Sequence, residues 1–230
     1  MGYIGKIPSA VPLTSADITD NVITSAKIVD STIVNADIAN STIDLTTKVT
    51  GVLPIANGGT NLSSGFFNGI KEADQFRLSS NFTYTGSQAA QVLSSNWERV
   101  DTNSFDKIGT GMTQSSGVFT FPSTGIYLVS FGFHGEGSNT NNNRFVIGGI
   151  DTTTDGTNFD PAGDVGTNIL GNTNNNDTRG SGFFMHQFDV TNVSTHKVRF
   201  WVACNNNNVI FFGNTGDSYT YVNFIRLGDT

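Results

Sequence analysis

Two hydrophobic rhythms divide the chain. Over residues 15–44 the sequence SADITDNVIT SAKIVDSTIV NADIANSTID falls into three blocks of ten that nearly coincide. Ala16, Ala26 and Ala36 share one column, Ile18, Ile28 and Ile38 a second, and Ile23, Ile33 and Ile43 a third. An isoleucine therefore recurs every five residues. A helix would carry that series around its axis at about 140° per step, and a strand would send alternate members to opposite faces. The spacing predicts a mixed unit instead. One helical turn lies in SADI, SAKI or NADI, capped by Ser15, Ser25 or Asn35, and an extended β-branched run follows in VIT, TIV or TID. One isoleucine from each half then faces inward.

Such a segment cannot bury its own apolar row, and repeats of this kind find neighbours. Identical chains wound about a common axis supply them, with Ile18, Ile23, Ile28, Ile33, Ile38 and Ile43 on the trimer axis. A linker of coincidental period, or a single-chain pentapeptide solenoid, accounts for less of the pattern, and Lys48 already interrupts the column.

From about residue 70 the period becomes two. Short apolar alternations are separated by Gly, Asn, Asp and Ser clusters. The pattern predicts strands near 72–85, 97–101, 117–121, 125–135, 143–150, 181–190, 197–204, 208–213 and 219–228, with no helix between them: a sandwich or barrel. Several strands are apolar on both faces. In GIYLVSFGFH, Tyr127, Val129, Phe131 and Phe133 share one face and Ile126 and Leu128 the other. In KVRFWVAC, Val198, Phe200, Val202 and Cys204 oppose Arg199, Trp201 and Ala203. In SYTYVNFIRL, Tyr219, Tyr221, Ile225 and Leu227 oppose Val222 and Phe224. A lone sandwich wets one face of each sheet. A second apolar face predicts symmetric assembly.

Composition narrows the function. Only 13% of the 230 residues are charged, and the net charge is −7. No basic stripe exists to neutralise phosphates, so nucleic acid is not an expected partner. The one cysteine, Cys204, forms no intrachain disulfide. No run of 18 apolar residues is present, so membrane insertion is not expected. MGYIGKIPSAVP lacks the apolar core of a signal peptide, and Lys6 stands where a myristoylation signal needs Ser or Thr.

Two resemblances sharpen the reading. The repeat SADI-x-DNVIT, running into LPIANGGTN at residues 53–61, resembles bacteriophage tail-fibre and virion-fibre sequences. The opening MGYIGKIP is similar to the start of short fibres from podovirus-type phages, which implies that Tyr3, Ile4, Gly5 and Pro8 belong to a virion-attachment segment. The stretch GVFTFPSTGIYLVSF resembles the heart of the globular head of complement component one q, in the wider tumour-necrosis-factor family. The matching positions are Gly117, Phe119, Thr120, Pro122, Gly125 and Tyr127, and YTYVNFIRLGD resembles that family's last strand. This resemblance implies a jelly roll that trimerises around aromatic contacts. No Gly-X-Y stalk is present, so complement function is not implied.

Candidate chemistry is sparse. His134, His186 and His196 show no metal-ligand spacing, Cys204 lies on an apolar face, and no G-x-S-x-G motif occurs. Asp151, Asp155, Asp160 and Asp164 gather in DTTTDGTNFDPAGD, where a calcium site competes with an ordinary solvated loop. The asparagine runs Asn141, Asn142 and Asn143; Asn174, Asn175 and Asn176; and Asn205, Asn206, Asn207 and Asn208 lie between predicted strands. They read as turn residues or as a receptor-binding rim whose amides match sugar hydroxyls.

Together these features predict an all-β chain: a C-terminal antiparallel jelly-roll sandwich preceded by a repetitive trimeric fibrous shaft. Residues 1–14 attach to the virion, 15–64 form shaft and Gly/Ser joint, and 65–230 form the knob. The expected function is a homotrimeric phage tail fibre on the virion surface. It has no enzymatic activity, cofactor or metal, contacts phage tail or head proteins through its N-terminus, and binds a host-surface glycan or protein. A head fibre or capsid decoration protein is the alternative. A glycan-cleaving spike would require paired carboxylates in a cleft.

Overall fold

The computed structural model describes residues 14, 16, 18–39, 42–43, 69–102, 106–137, 142–171 and 178–230. The virion-attachment residues Tyr3, Ile4, Gly5 and Pro8, the end of the shaft at 44–50 and the joint at 51–64 lie outside them. The chain divides into two units, Met1–Phe67 and Asn68–Thr230, each taken by itself.

In the first unit the five-residue period is a period of turns. Backbone N–H groups of Val22, Lys27, Thr32, Asp37 and Thr42 donate to the carbonyls of Thr19, Thr24, Val29, Val34 and Ala39, each three residues back. Two of these turns are short 3₁₀ elements, Ser25–Lys27 and Asn35–Asp37. The expected extended runs VIT and TIV form no strand, though Thr24 is extended; a second turn, centred on Asp20-Asn21 and Asp30-Ser31, precedes each. Asp-Asn and Asp-Ser pairs favour turns, and Asn21 and Ser31 stand at φ 64° and 65°. A single short strand would also lack a ladder partner. Ser25 starts its turn instead of capping it; Thr24 is the cap and makes no side-chain cap bond. Thr32 and Thr42 hydroxyls donate to Val29 and Ala39 carbonyls at 2.6 and 2.5 Å. All these bonds are local, so the aliphatic side chains gain no cover. The six isoleucines of the series range from 37% exposed at Ile38 to 56% at Ile33.

The second unit is two antiparallel sheets. The first contains β1 (Ala73–Leu78), β2 (Phe82–Thr83), β4 (Trp97–Arg99), β7 (Gly125–Gly137), β10 (Thr178–Val190), β12 (Ile210–Phe211) and β13 (Tyr221–Gly228). Its order is β2-β12-β7-β13-β1-β4, with β10 along the other edge of β7. The second sheet runs β5-β6-β11-β8-β9, with β3 also on β11. Its strands are β3 (Gln91–Val92), β5 (Thr113–Ser115), β6 (Val118–Thr120), β8 (Asn143–Thr153), β9 (Asp160–Ile169) and β11 (Lys197–Cys204). The chain crosses between sheets from β6 to β7, β7 to β8, β9 to β10, β10 to β11 and β11 to β12, which is the double Greek key of a jelly roll.

The alternating faces meet as expected. Tyr127, Val129, Phe131, Phe133, Val198, Phe200, Val202, Cys204, Val222 and Phe224 are buried in one core. Phe119 sits at its centre, with ring centroids 5.2 Å from Phe76, 5.5 Å from Trp97 and Phe200, and 5.2 Å from Phe224. This explains the Gly-x-Phe motif: Gly117, at φ 77°, makes the turn that delivers Phe119 inward. Buried charges are paired. Asp74 accepts from Arg99 Nε and Nη2 at 3.0 Å and from Met112 N–H at 2.7 Å. Arg77 donates to Glu98 Oε1 at 2.8 Å, to Thr102 Oγ1 at 2.7 Å and to the Thr215 carbonyl.

Strands β3, β5 and β9 were not expected from the alternation. Asp160-Pro161-Ala162-Gly163 reads as loop because its residues are poor strand formers. It is a strand because it lies at the sheet edge, where proline and glycine are tolerated, and it pairs with β8 through a register shift near Asp151.

Candidate functional site

Two surfaces of the second unit stand out. The first is an amide-rich end where four loops meet. Asn206 N–H donates to Asn143 Oδ1 at 3.0 Å, and Asn206 Nδ2 to the Asn142 carbonyl at 2.9 Å. Gly171 N–H donates to Asn142 Oδ1 at 2.8 Å, tying the loop after β9 to the loop after β7. Arg144 Nε donates to Asn205 Oδ1 at 2.9 Å. Asn207 reaches the loop after β2, where its Oδ1 accepts from Ser87 N–H at 2.9 Å. A cleft of about 220 Å³ lies between Ser87, Gln88, Asn205, Asn206 and Asn207.

The asparagines do not share one role. Asn207 and Asn208 are exposed, as is Asn142, while Asn205 and Asn206 are half-buried. Asn143 is 1% exposed; it braces the loops from inside, and its place in a surface rim is corrected accordingly. Asn208 stands at φ 67°, a turn role suited to asparagine. Asn141 and Asn174, Asn175 and Asn176 lie outside the described residues. Ser87 and Gln88 carried no sequence signal, because a Gly-Ser-Gln stretch after a strand reads only as a loop.

The second surface is the outer face of the first sheet. Register aligns Phe183 on β10 with Gly132 on β7 and Tyr221 on β13, and Met185 with Ser130 and Asn223. Tyr221 lies across Gly132, where a Cβ would come within 2.8 Å of its ring. Phe183 is 49% and Met185 53% exposed. A groove of about 360 Å³ is lined by Gly132, His134, Ser181, Phe183, Tyr219 and Tyr221. The His134 ring meets Phe212 and Tyr219 edge-on at 5.2 and 6.0 Å. Among the described residues its Nε2 is the buried side-chain polar atom left without a hydrogen-bond partner.

The other histidines, the cysteine and the four aspartates form no common site. His196 is buried, stacks on Phe188 at 5.6 Å and bonds the hydroxyls of Thr191 and Thr195. Burial pushes the half-buried His186 imidazole below its ordinary pKa and the Cys204 thiol up to about 12. The four aspartates do not converge. Asp151 accepts from Arg199 Nη2 at 2.9 Å and from Trp201 Nε1 at 2.7 Å. Asp155 closes its own loop, and the N–H groups of Asn158 and then Thr157 hold its carboxyl far below the usual range. Asp160 and Asp164 lie on β9. Among the described residues no three His, Cys, Asp or Glu side chains gather to hold a metal.

No protein-family model and no curated protein sequence matches the chain. Solved structures with similarity to it include Eiger TNF from S. frugiperda, at 12% identity and a TM-score of 0.49, over 69% of this chain and 93% of that one. Murine APRIL at pH 5.0 and at pH 8.0 is similar at 11% and 13% identity, with TM-scores of 0.43 and 0.41. Both overlays cover 68% of this chain and 98% of that one. The jelly roll is assigned from strand order and register, and these likenesses add no functional weight.

Proposed function

We propose that the chain is a homotrimeric bacteriophage tail-fibre protein. Residues 1–14 hold it on the particle, 15–64 form an interwound shaft, and the jelly-roll knob contacts a host-surface receptor. The observation that carries this reading is the row of isoleucines five residues apart, one at each junction between successive turns and all exposed in the single chain. A periodic apolar row of that kind needs neighbours of the same period, and identical chains have it. The outer sheet face around Phe183, Met185 and Tyr221 supports the same assembly, since it joins apolar side chains from two strands, β10 and β13, on one surface across β7. A head fibre or capsid decoration protein uses every one of these parts and differs only in what the N-terminus grips.

Light scattering on the full chain tests the assembly. Three times the 24.5 kDa chain mass is expected at micromolar concentration. Phe183→Asp combined with Met185→Asp, and separately Ile28→Asp combined with Ile38→Asp, should each lower the apparent mass or its concentration stability. A monomeric wild type overturns the reading. Antibody labelling of purified particles decides between tail and head.

A further inference from the structure

The turn between β2 and β3 is built from residues that do not suit it. Ala89 N–H donates to the Gly86 carbonyl at 3.0 Å, so Ser87 and Gln88 are the two central residues, at φ 49° and 74°. A turn with both central residues left-handed favours Asn-Gly, because glycine has no Cβ to strain. The molecule contains its own control. Between β5 and β6 the central pair Ser116 and Gly117 has nearly the same angles, 49° and 77°, and the second residue there is glycine. At position 88 a long amide side chain occupies the place that glycine takes at 117.

The surroundings hold the strained pair in place. Ser87 N–H donates to Asn207 Oδ1 at 2.9 Å, and Asn207 Nδ2 donates to Ser87 Oγ at 3.2 Å. Tyr84, fully buried beneath the turn, donates its hydroxyl to the Ala89 carbonyl at 2.8 Å. Gln88 itself is exposed, and none of these bonds uses its amide. Strain kept by its neighbours, at a residue contributing nothing to the fold's bonding, points to a role outside the fold.

The cleft beside it names the chemistry. Every lining side chain is an amide or a hydroxyl and none is charged. An amide offers a donor and an acceptor side by side, which matches a pair of neighbouring hydroxyls. At about 220 Å³ the cleft is smaller than the roughly 300 Å³ where drug-sized sites begin, which suits one sugar ring. We propose that the cleft between the 86–89 turn and Asn205–Asn207 binds a single neutral pyranose of a surface polysaccharide, with the Gln88 amide and the second proton of Asn207 Nδ2 as its hydrogen-bonding groups. The inference rests on the receptor-binding reading above. In a trimer three such weak sites act together, and linkage converts weak single contacts into firm attachment.

The test uses the full chain and a panel of methyl glycosides of glucose, galactose, mannose, rhamnose and N-acetylglucosamine. Each is titrated to about 30 mM, since a ligand of this size in an open site binds in the millimolar range. Saturation-transfer NMR reads binding and calorimetry reads melting. At least one glycoside should bind wild type, and Gln88→Gly should weaken it about tenfold or more while raising the melting temperature by about 2–4 °C. Stability rising as binding falls is a signature that a merely structural residue does not give. Equal glycoside binding by wild type and Gln88→Gly overturns the site and leaves the fibre reading intact. No binding by any glycoside, or a lower melting temperature in Gln88→Gly, also overturns it. Adhesion of labelled trimer to the bacterium that yields the particles reports separately on the fibre reading.

Discussion

The two units use the same aliphatic residues to opposite ends. In the repeat, Ile33 is 56% exposed, while in β8 Ile150 is fully buried. Neither intrinsic hydrophobicity nor β-branching differs between them. The difference is range. Among the described residues of the repeat, the backbone bonds each span three residues, whereas β1 pairs with β13 and β7 with β10 across long stretches of chain. Local bonds set a conformation without closing a core. Burial needs partners brought from far away, and only the jelly roll finds them within one chain.

Substitutions can break this contrast, and the largest effect belongs at the core centre. Phe119→Ala should cost about 3–5 kcal/mol, a large share of a domain's usual 5–15 kcal/mol, read as a fall in the denaturation midpoint of the knob. Next, Ile150→Ala should cost about 2–4 kcal/mol, while Ile33→Ala should leave the knob's midpoint within about 0.5 kcal/mol. If Ile33→Ala instead removes a separate, earlier transition of the full chain, the repeat is covered by other copies. If it changes nothing at all, the contrast between the units is absolute. Cys204 sharpens the comparison kinetically. With its thiol buried and pushed up to about 12, iodoacetamide at pH 8 should label it only as fast as the knob opens. Labelling at the rate of a free thiol would place β11 outside the stable core.

The smallest effect is at Asp155. Its folded pKa lies below the ordinary 3.8, so its contribution is present above about pH 4 and is lost as pH falls towards the folded value. Below pH 4 the wild type should lose melting temperature more steeply than Asp155→Asn. Parallel curves would remove the loop's carboxylate from the account.

Strands β7, β11 and β13 were legible because their runs of β-branched and aromatic residues are bounded by turn residues. Strand β9 was hidden, since an edge strand accepts Pro161 and Gly163, which mark a loop anywhere else. In the repeat the period was visible but its meaning was not: five-residue spacing is equally consistent with one turn per decade or two, and the Asp-Asn and Asp-Ser pairs decided for two. At the amide-rich end, composition located the loops but could not separate buried Asn143 from exposed Asn142, neighbours that point opposite ways. Gln88 was invisible because its oddity is an angle, not a residue type.

The length and placement of β7 have a mechanical consequence. Its first residue, Gly125, lies against Arg226 and Gly228, close to where Ile70 and Lys71 lead into β1. Its last residues reach the amide-rich loops, about 40 Å away at the rise of a strand. A pull on Ile70 resisted at those loops therefore runs along β1, parallel to its ladders with β13 and β4. The ladder bonds then carry the load together in shear, and the knob resists tension far better than it would if they peeled apart one at a time.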